Sequence, residues 1–215
     1  MHVTPARARA TVISMATIWL ALTISVSSAS ILGCAKKSDA EERVKALEIY
    51  GTIPAFSFQT QEAVTFTDEN MRGHVTIANF IFTRCPTICP VFTMKMQRIG
   101  EDTSAKVHLI SFSVDPEYDT PARLLSYSKD YDADPKRWHF LTGDSEAVKE
   151  VVEGALKISM ERNGEDEHGV PDIVHGSHFV LFDSKGNIRG YYNSDDVQRI
   201  DALRADAEAL VLLDK

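Results

Sequence analysis

Cysteine is scarce in this chain of 215 residues, with three in all, at positions 34, 85 and 89. In an exported protein an odd number normally leaves one thiol without a disulfide partner. A long basic run is also missing beyond the extreme N-terminus: 23 Lys and Arg stand against 31 Asp and Glu, for a net charge of −8. Phosphate backbones are bound through clustered cations, so the balance argues against a nucleic-acid partner. The acidic excess reads as an ordinary solvated surface. There is no internal repeat and no low-complexity tract. What is present is 44% hydrophobic and 25% charged residues, the usual mixture for a chain that buries a core. The length fits one ordinary domain plus an appendage.

The appendage is the first 33 residues. Arg7 and Arg9 give a positive start, and Thr11 to Gly33 carries no charge and is rich in Ile, Leu, Val and Ala. This is the pattern of an export signal, which does not belong to the fold. It ends in Ile31-Leu32-Gly33-Cys34, followed by Lys36 and Lys37, and resembles a bacterial lipobox, in which cleavage falls before a lipidated cysteine. Cys34 would then become an acylated N-terminus, anchored by several chains as one chain alone is not. The alternative is a single N-terminal transmembrane helix, since about 20 apolar residues span a bilayer, although Ser25, Ser27, Ser28 and Ser30 dilute the run. Either way the body is expected on the periplasmic side of the cell envelope, held at a membrane.

Residues 34–50 are charged and helix-favouring, and read as a tether. From 51 to 215 strand-like and helix-like stretches alternate. Ala55–Phe58 and Val64–Thr67 look like short strands. Val75–Phe82 is a continuous apolar run, expected of a buried central strand. Pro90–Ile99 has helical spacing, Val107–Val114 is a second buried strand, and Pro121 opens a helix to about Tyr131 behind Thr120 as cap. Trp138–Leu141 is a short strand, and Asp144 caps a helix over Ser145–Leu156. Phe179–Asp183 and Ile188–Tyr192 flank Ser184-Lys185-Gly186-Asn187, a hairpin signal. Asp195–Leu213 closes the chain as an amphipathic helix. The pattern describes one α/β layer domain around a mixed sheet.

With Cys34 consumed by the anchor, Cys85 and Cys89 remain as a pair in Cys85-Pro86-Thr87-Ile88-Cys89-Pro90, between the central strand and a helix. A helix N-terminus stabilises a thiolate, which makes it a better nucleophile and metal ligand. Residues four apart share a helix face, with Cα atoms on the order of 6 Å apart, within the reach of a disulfide. The pair can clamp one soft ion when reduced, copper(I) or zinc, or close on itself when oxidised. A merely stabilising bridge is the bland alternative, but so short a loop removes little chain entropy.

Two sulfurs rarely complete a metal site. His74 and His108 stand at strand starts, where a satisfied or solvated imidazole is the ordinary state. His139 falls within a strand, and His168 sits in a charged loop. His175 and His178 immediately precede the strand Phe179–Asp183, and loops at strand ends converge on the rim that carries the cysteines. Spacing alone does not choose between them.

The cysteine motif after an apolar strand, Ser113-Val114-Asp115-Pro116 with Asp119-Thr120-Pro121, Trp138 through Leu141-Thr142-Gly143, and His175 eight residues before Asp183-Ser184-Lys185-Gly186 together resemble the SCO/SenC family. The likeness covers roughly residues 50–213. It implies a thioredoxin-like fold and copper binding through Cys85, Cys89 and His175, with Asp115 close behind the ligands. It also implies a role in assembling the copper centre of cytochrome c oxidase, as a metallochaperone or as a thiol–disulfide reductant of that centre's cysteines. The copper-bearing oxidase subunit, or another copper or thiol protein, would be the partner. Here the histidine stands in Val174-His175-Gly176-Ser177 where the family usually has Asp or Thr before it and Ser after it, and His178 is an unusual neighbour.

Two thiolates and one imidazole offer a low-coordinate site that copper(I) accepts, whereas structural zinc prefers four ligands. Whether copper(II) is also held is left open. The alternative is a metal-independent thiol–disulfide oxidoreductase of the cell envelope, using Cys85 and Cys89 as its redox pair. A thiol peroxidase is weaker, because nothing marks a peroxide site.

Overall fold

A computed structural model describes residues 36–165 and 171–214, leaving out the side chains at 162, 165, 171, 172, 174 and 175. The export segment, Cys34 and His168 lie outside the described residues. The chain divides into two units, Met1–Asp39 and Ala40–Lys215; of the first, only residues 36–39 are described. Residues 36–46 are helical (α1). Within the second unit, Val44 and Leu47 pack against the core, and Arg43 pairs with the buried Asp206 at 2.6 Å.

The strands follow as β1 (Gly51–Thr52), β2 (Ser57–Thr60), β3 (Thr65–Thr67) and β4 (Val75–Ile81). Helix α2 (Ile88–Asp102), β5 (Val107–Ser113), α3 (Pro121–Asp130) and β6 (Trp138–Thr142) come next. Helix α4 (Ser145–Lys149) continues into a π-helical turn, Glu150–Ala155. The chain ends with β7 (Met160–Glu165), β8 (Pro171–His175), β9 (His178–Phe182), β10 (Asn187–Asn193) and α5 (Val197–Leu213).

All seven residues of β4 are buried, because both faces of this strand are covered. It pairs in parallel with β5 from Val75↔Val107 to Ile81↔Ser113, and β5 pairs in parallel with β6. On its other side β4 pairs antiparallel with β9. The eight-stranded order is β1-β10-β9-β4-β5-β6-β2-β3, and β7 and β8 form a separate two-stranded hairpin. Helices α2 and α5 touch each other and pack over β4 and β5, while α3 lies against β6 and β2. This is the expected mixed sheet flanked by helices, ending in a hairpin and a helix.

Local chemistry sets the element limits. Thr120 accepts the Arg123 N–H ahead of Pro121, as expected for that cap. Asp144 accepts the Ala147 N–H, but the helix behind it is α-helical only to Lys149, and its wider turn ends at Ala155. Helix α5 starts two residues later than expected because Asp196 accepts the N–H groups of both Gln198 and Arg199. The strand expected at Ala55–Phe58 is β2 at Ser57–Thr60, with Phe56 buried ahead of it among aromatic rings, and the short β1 precedes it. The β9–β10 turn closes through Asp183 Oδ1, which accepts from the N–H of Lys185 and of Asn187, both at 3.0 Å. Gly186 sits there at φ 77°, a conformation that costs a residue with a Cβ.

The core is rich in phenylalanine. Phe112 of β5 meets Phe56, Phe58 and Phe80 at ring separations of 6.0, 6.2 and 6.0 Å. Truncating it therefore opens a cavity that several rigid rings cannot collapse. Phe112→Ala is expected to cost about 3–5 kcal/mol, read as a lower urea midpoint with an unchanged slope.

Candidate functional site

Strand β4 ends at Ile81, and after six intervening residues α2 begins at Ile88. Cys85 lies in that connection, with its N–H bonded to the Phe82 carbonyl at 3.2 Å. Helix α2 begins at Ile88, so Cys89 sits inside its first turn rather than ahead of it. Pro90 is the third helical residue, where no intrahelical acceptor is available for an N–H in any case. No acidic residue occupies this first turn, so nothing competes with a thiolate for the positive end of the helix. Cys89 is fully buried and Cys85 nearly so, and no disulfide joins them.

The two sulfurs are not equivalent. The Cys89 backbone N–H points at the Cys85 sulfur, 3.4 Å away. A hydrogen bond from the Cys89 thiol lowers the Cys85 pKa most; burial opposes it, and the N–H groups of Cys89, Thr87 and Ile88 add to it, leaving Cys85 at about 5. Cys89 is pushed far up, first by its bond to Cys85 and then by burial. Near neutral pH the pair holds one thiolate, on Cys85, and one thiol.

The loop after β5 braces the cysteine loop from behind. Asp115 is fully buried and pairs with Arg84 Nε at 2.7 Å. Arg84 also lies over the Tyr118 ring at 4.4 Å, with Arg123 over the same ring at 3.7 Å. Asp119 accepts from the Thr83 N–H at 3.1 Å, the Thr83 hydroxyl at 2.5 Å and the Ser113 hydroxyl at 2.6 Å. Burial is the chief cause of its raised pKa, and the neighbouring Asp115 adds to it. In the sequence Asp119 stands out only through the Asp119-Thr120-Pro121 motif; the signal for its role is a carboxylate four residues after Asp115 in a loop next to the cysteine strand.

The late loop arrives at the same rim. The β4–β9 ladder pairs Ala78 with Val180, and two steps along it His178 comes level with Phe80. Phe92, three residues after Cys89, packs on Phe179 with ring centroids 4.6 Å apart. The Ser177 carbonyl accepts the Ser194 N–H at 2.9 Å, and Lys95 of α2 reaches the Ser194 carbonyl at 2.9 Å. His175 ends β8, three residues before β9 begins; its side chain is outside the described residues. His178 is half-buried at the start of β9. Among the described residues no group of three or more His, Cys, Asp or Glu is placed to hold a metal.

The remaining described histidines lie elsewhere. His74 and His108 are not single solvated rings but stack on each other, with centroids 3.9 Å apart and planes 16° apart, near the starts of β4 and β5 and away from the cysteines. Burial first, then the neighbouring His74, His139 and Arg137, lowers His108 to about 4. His139 packs on Phe66 at 4.9 Å, the structural position expected for it.

The SCO1/SenC family profile matches residues 46–211. The chain belongs to the SCO1/SenC family. A relative is the SCO1 protein homolog of Bacillus subtilis (strain 168), 35% identical over an alignment of 164 residues that covers 73% of this chain and 81% of that protein. The solved structure of BsSco, described as a member of the Sco family of cytochrome c oxidase assembly proteins with a disulfide switch, is 29% identical. It covers 79% of this chain and 99% of its own with a TM-score of 0.68. Arabidopsis thaliana ScoI with copper bound is 26% identical, covering 74% and 96% with a TM-score of 0.63. The thioredoxin-like fold of this SCO1/SenC chain agrees with these neighbours.

Thiolate reactivity reports the split between the sulfurs directly. Alkylation of Cys85 by iodoacetamide follows its thiolate fraction, which rises with pH through the pKa. In the reduced protein the rate is therefore expected to rise through about pH 5 and stay flat beyond it. Cys89→Ala removes the main lowering bond and moves the rise toward the ordinary thiol range. A wild-type midpoint near about 8.5, the value of a free cysteine, contradicts the arrangement.

Proposed function

We propose that this SCO1/SenC protein carries copper(I) on Cys85, Cys89 and His175 and serves in assembling the copper centre of cytochrome c oxidase. The observation that carries this is the reduced pair itself, one thiolate and one thiol a helical turn apart at a helix N-terminus, on the rim reached by the 175–178 segment. The donor chemistry fits: thiolates and imidazole suit copper(I), and the described residues supply no fourth ligand of the kind structural zinc prefers. Copper is cargo here rather than a resident cofactor. Cys85 meets it already ionised, and Cys89 must give up its proton, so uptake by both sulfurs releases about one proton near neutral pH. Arg84, held by Asp115, and Thr83, held by Asp119, fix the loop so that the sulfurs keep their spacing as the proton leaves. The partner on this reading is the copper-bearing oxidase subunit.

A metal-independent thiol–disulfide oxidoreductase is the second reading, favoured by the same division of labour: an ionised attacking thiol beside a protonated one. His175 separates the two. Copper(I) titration of the reduced domain, by competition with a chromogenic chelator, is expected to give one ion per protein. Cys85→Ser or Cys89→Ser should abolish tight binding. His175→Ala should weaken it by roughly tenfold or more, the size that even an outer-sphere partner is worth, while His178→Ala leaves it unchanged. Unchanged stoichiometry in either cysteine variant overturns the carrier, and full affinity in His175→Ala favours the oxidoreductase.

Residues 51–215 act, on this proposal, as the working domain at the outer side of a membrane, with Cys34 as the lipidated anchor and 34–50 as a tether whose later part docks on the domain through Val44 and Leu47. Support comes from the lipobox-like Ile31-Leu32-Gly33-Cys34. Among the described residues no helix is long and apolar enough to cross a membrane. Mass spectrometry of membrane-extracted protein is expected to find an N-terminal peptide beginning at acylated Cys34. A peptide that retains residues 1–33 contradicts it.

A further inference from the structure

Helix α2 changes character along its length. In its last two turns the outer face carries Arg98, Glu101 and Asp102, joined by ion pairs from Arg98 at 3.2 and 3.3 Å, the ordinary solvated side of an amphipathic helix. In the first two turns the outer face carries Ile88, Val91 and Met94 instead, exposed to 45%, 45% and 51%. Residues three apart are neighbours on a helix surface, so these three form one apolar strip. The inner side of the same turns is apolar too, with Cys89, Phe92 and Met96 buried. No charged residue occurs between Arg84 and Lys95. Both of those cations are drawn aside, Arg84 to Asp115 at 2.7 Å, and Lys95 to Asp195 at 3.0 Å and the Ser194 carbonyl at 2.9 Å. A helix that is apolar all round is normally covered on every side, yet this strip is left open.

Single exposed apolar side chains are common on any surface, but an adjoining group at the mouth of a reactive pair is the usual mark of a partner's contact. Cys89 is fully buried and Cys85 is 7% exposed, while Pro86, Thr87 and Ile88 between them face solvent. A molecule that takes an ion from the sulfurs therefore arrives over these residues. Met94 lies five residues beyond Cys89, about 7.5 Å along the helix axis. A stable protein interface covers about 800 Å² on each partner, equivalent to a disc of about 16 Å radius, so one centred on the sulfurs reaches across Val91 and Met94 as well. We propose that Ile88, Val91 and Met94 are the docking surface for the protein that receives copper from Cys85 and Cys89. This rests on the carrier reading above and deepens it: the occupant is the copper-bearing oxidase subunit, meeting the strip through an uncharged apolar surface around its own copper ligands. The strip aligns the two proteins before the metal is shared, and its lack of charge lets the sulfurs be covered without desolvating an ion.

The test uses reduced protein loaded anaerobically with one equivalent of copper(I), and the oxidase subunit stripped of its copper as acceptor. Val91→Gln combined with Met94→Gln suits a helix, leaves the net charge unchanged and removes most of the strip. Ile88 is left in place because its N–H bears on Cys85. The second-order rate of transfer to the subunit is expected to fall roughly tenfold or more, the size of one central interface residue lost. Copper affinity, and transfer to a small chromogenic chelator, are expected to stay at wild-type values. Leu212→Gln is the control and should change neither rate: Leu212 is 49% exposed but stands at the other end of the sheet, next to Val211, which lines a cleft with His74 and His108. Equal rates to the subunit in wild type and double variant, or an equal fall toward the chelator, overturn the docking surface. Loaded wild type that gives no copper to the subunit overturns the occupant. Wild type that binds no copper overturns the carrier reading alone. The surface is then judged by the same comparison on disulfide exchange, in which the acceptor's disulfide becomes two thiols as the thiols of Cys85 and Cys89 join in one.

Discussion

The hydrogen bond between the two cysteines is the interaction on which the rest depends. It divides one proton unequally between two chemically identical groups, so that Cys85 ionises at about 5 while Cys89 keeps its proton. Neither burial nor the helix end would do this alone. Burial raises both thiols, and the helix N-terminus favours a thiolate without choosing which. The choice comes from chain position. Cys85 lies just before the helix, where the N–H groups of Thr87, Ile88 and Cys89 converge on it, and Cys89 lies inside the first turn with its own N–H already directed at Cys85.

That geometry has to be held against its surroundings. Two buried carboxylates, Asp115 and Asp119, stand behind the cysteine loop, and uncompensated negative charge there would oppose a thiolate. Arg84 neutralises Asp115 directly at 2.7 Å. Burial and Asp115 raise the pKa of Asp119 while bonds from Ser113 and Thr83 lower it, so its charge is spread over donors that also fix Thr83. The residues before Cys85 are therefore anchored by the two acids that could otherwise disfavour its ionisation. The parallel pairing of β4 with β5 makes this possible, since it brings the ends of both strands, and hence both loops, to one rim.

The sequence made the centre of this arrangement legible because its signals are local. Val75–Ile81 is apolar at every position because both its faces are buried, Thr120 with Pro121 marks a helix start, and Asp183 with Gly186 marks a turn. Helix limits were less legible: the cap is Asp196, one residue past the expected helix start at Asp195, and a π-helical turn has no sequence period of its own. The hairpin β7–β8 was missed because Met160 to His175 is charged and broken by Gly164, Gly169 and Pro171, which reads as loop; its pairing is non-local information. The His74–His108 stack was hidden for the same reason. The two residues are far apart in sequence and meet only because β4 and β5 run parallel with Thr76 opposite His108.

The hairpin that sequence reasoning passed over also changes how the site is to be understood. The cysteines belong to the connection between β4 and α2, backed by an eight-stranded sheet. Position 175 belongs to a two-stranded ladder, an element that is marginal by itself and depends on its contacts with the body, such as the Glu153–Met160 bond and the burial of Ile173. A site built from parts of such unequal support can loosen on one side while the other stays fixed. For a carrier this matters more than strength of binding. On the proposed carrier reading, cargo held by two preorganised sulfurs and by a donor on the hairpin would be released when the hairpin side yields to a competing ligand, with the sulfur pair keeping its geometry for the next ion.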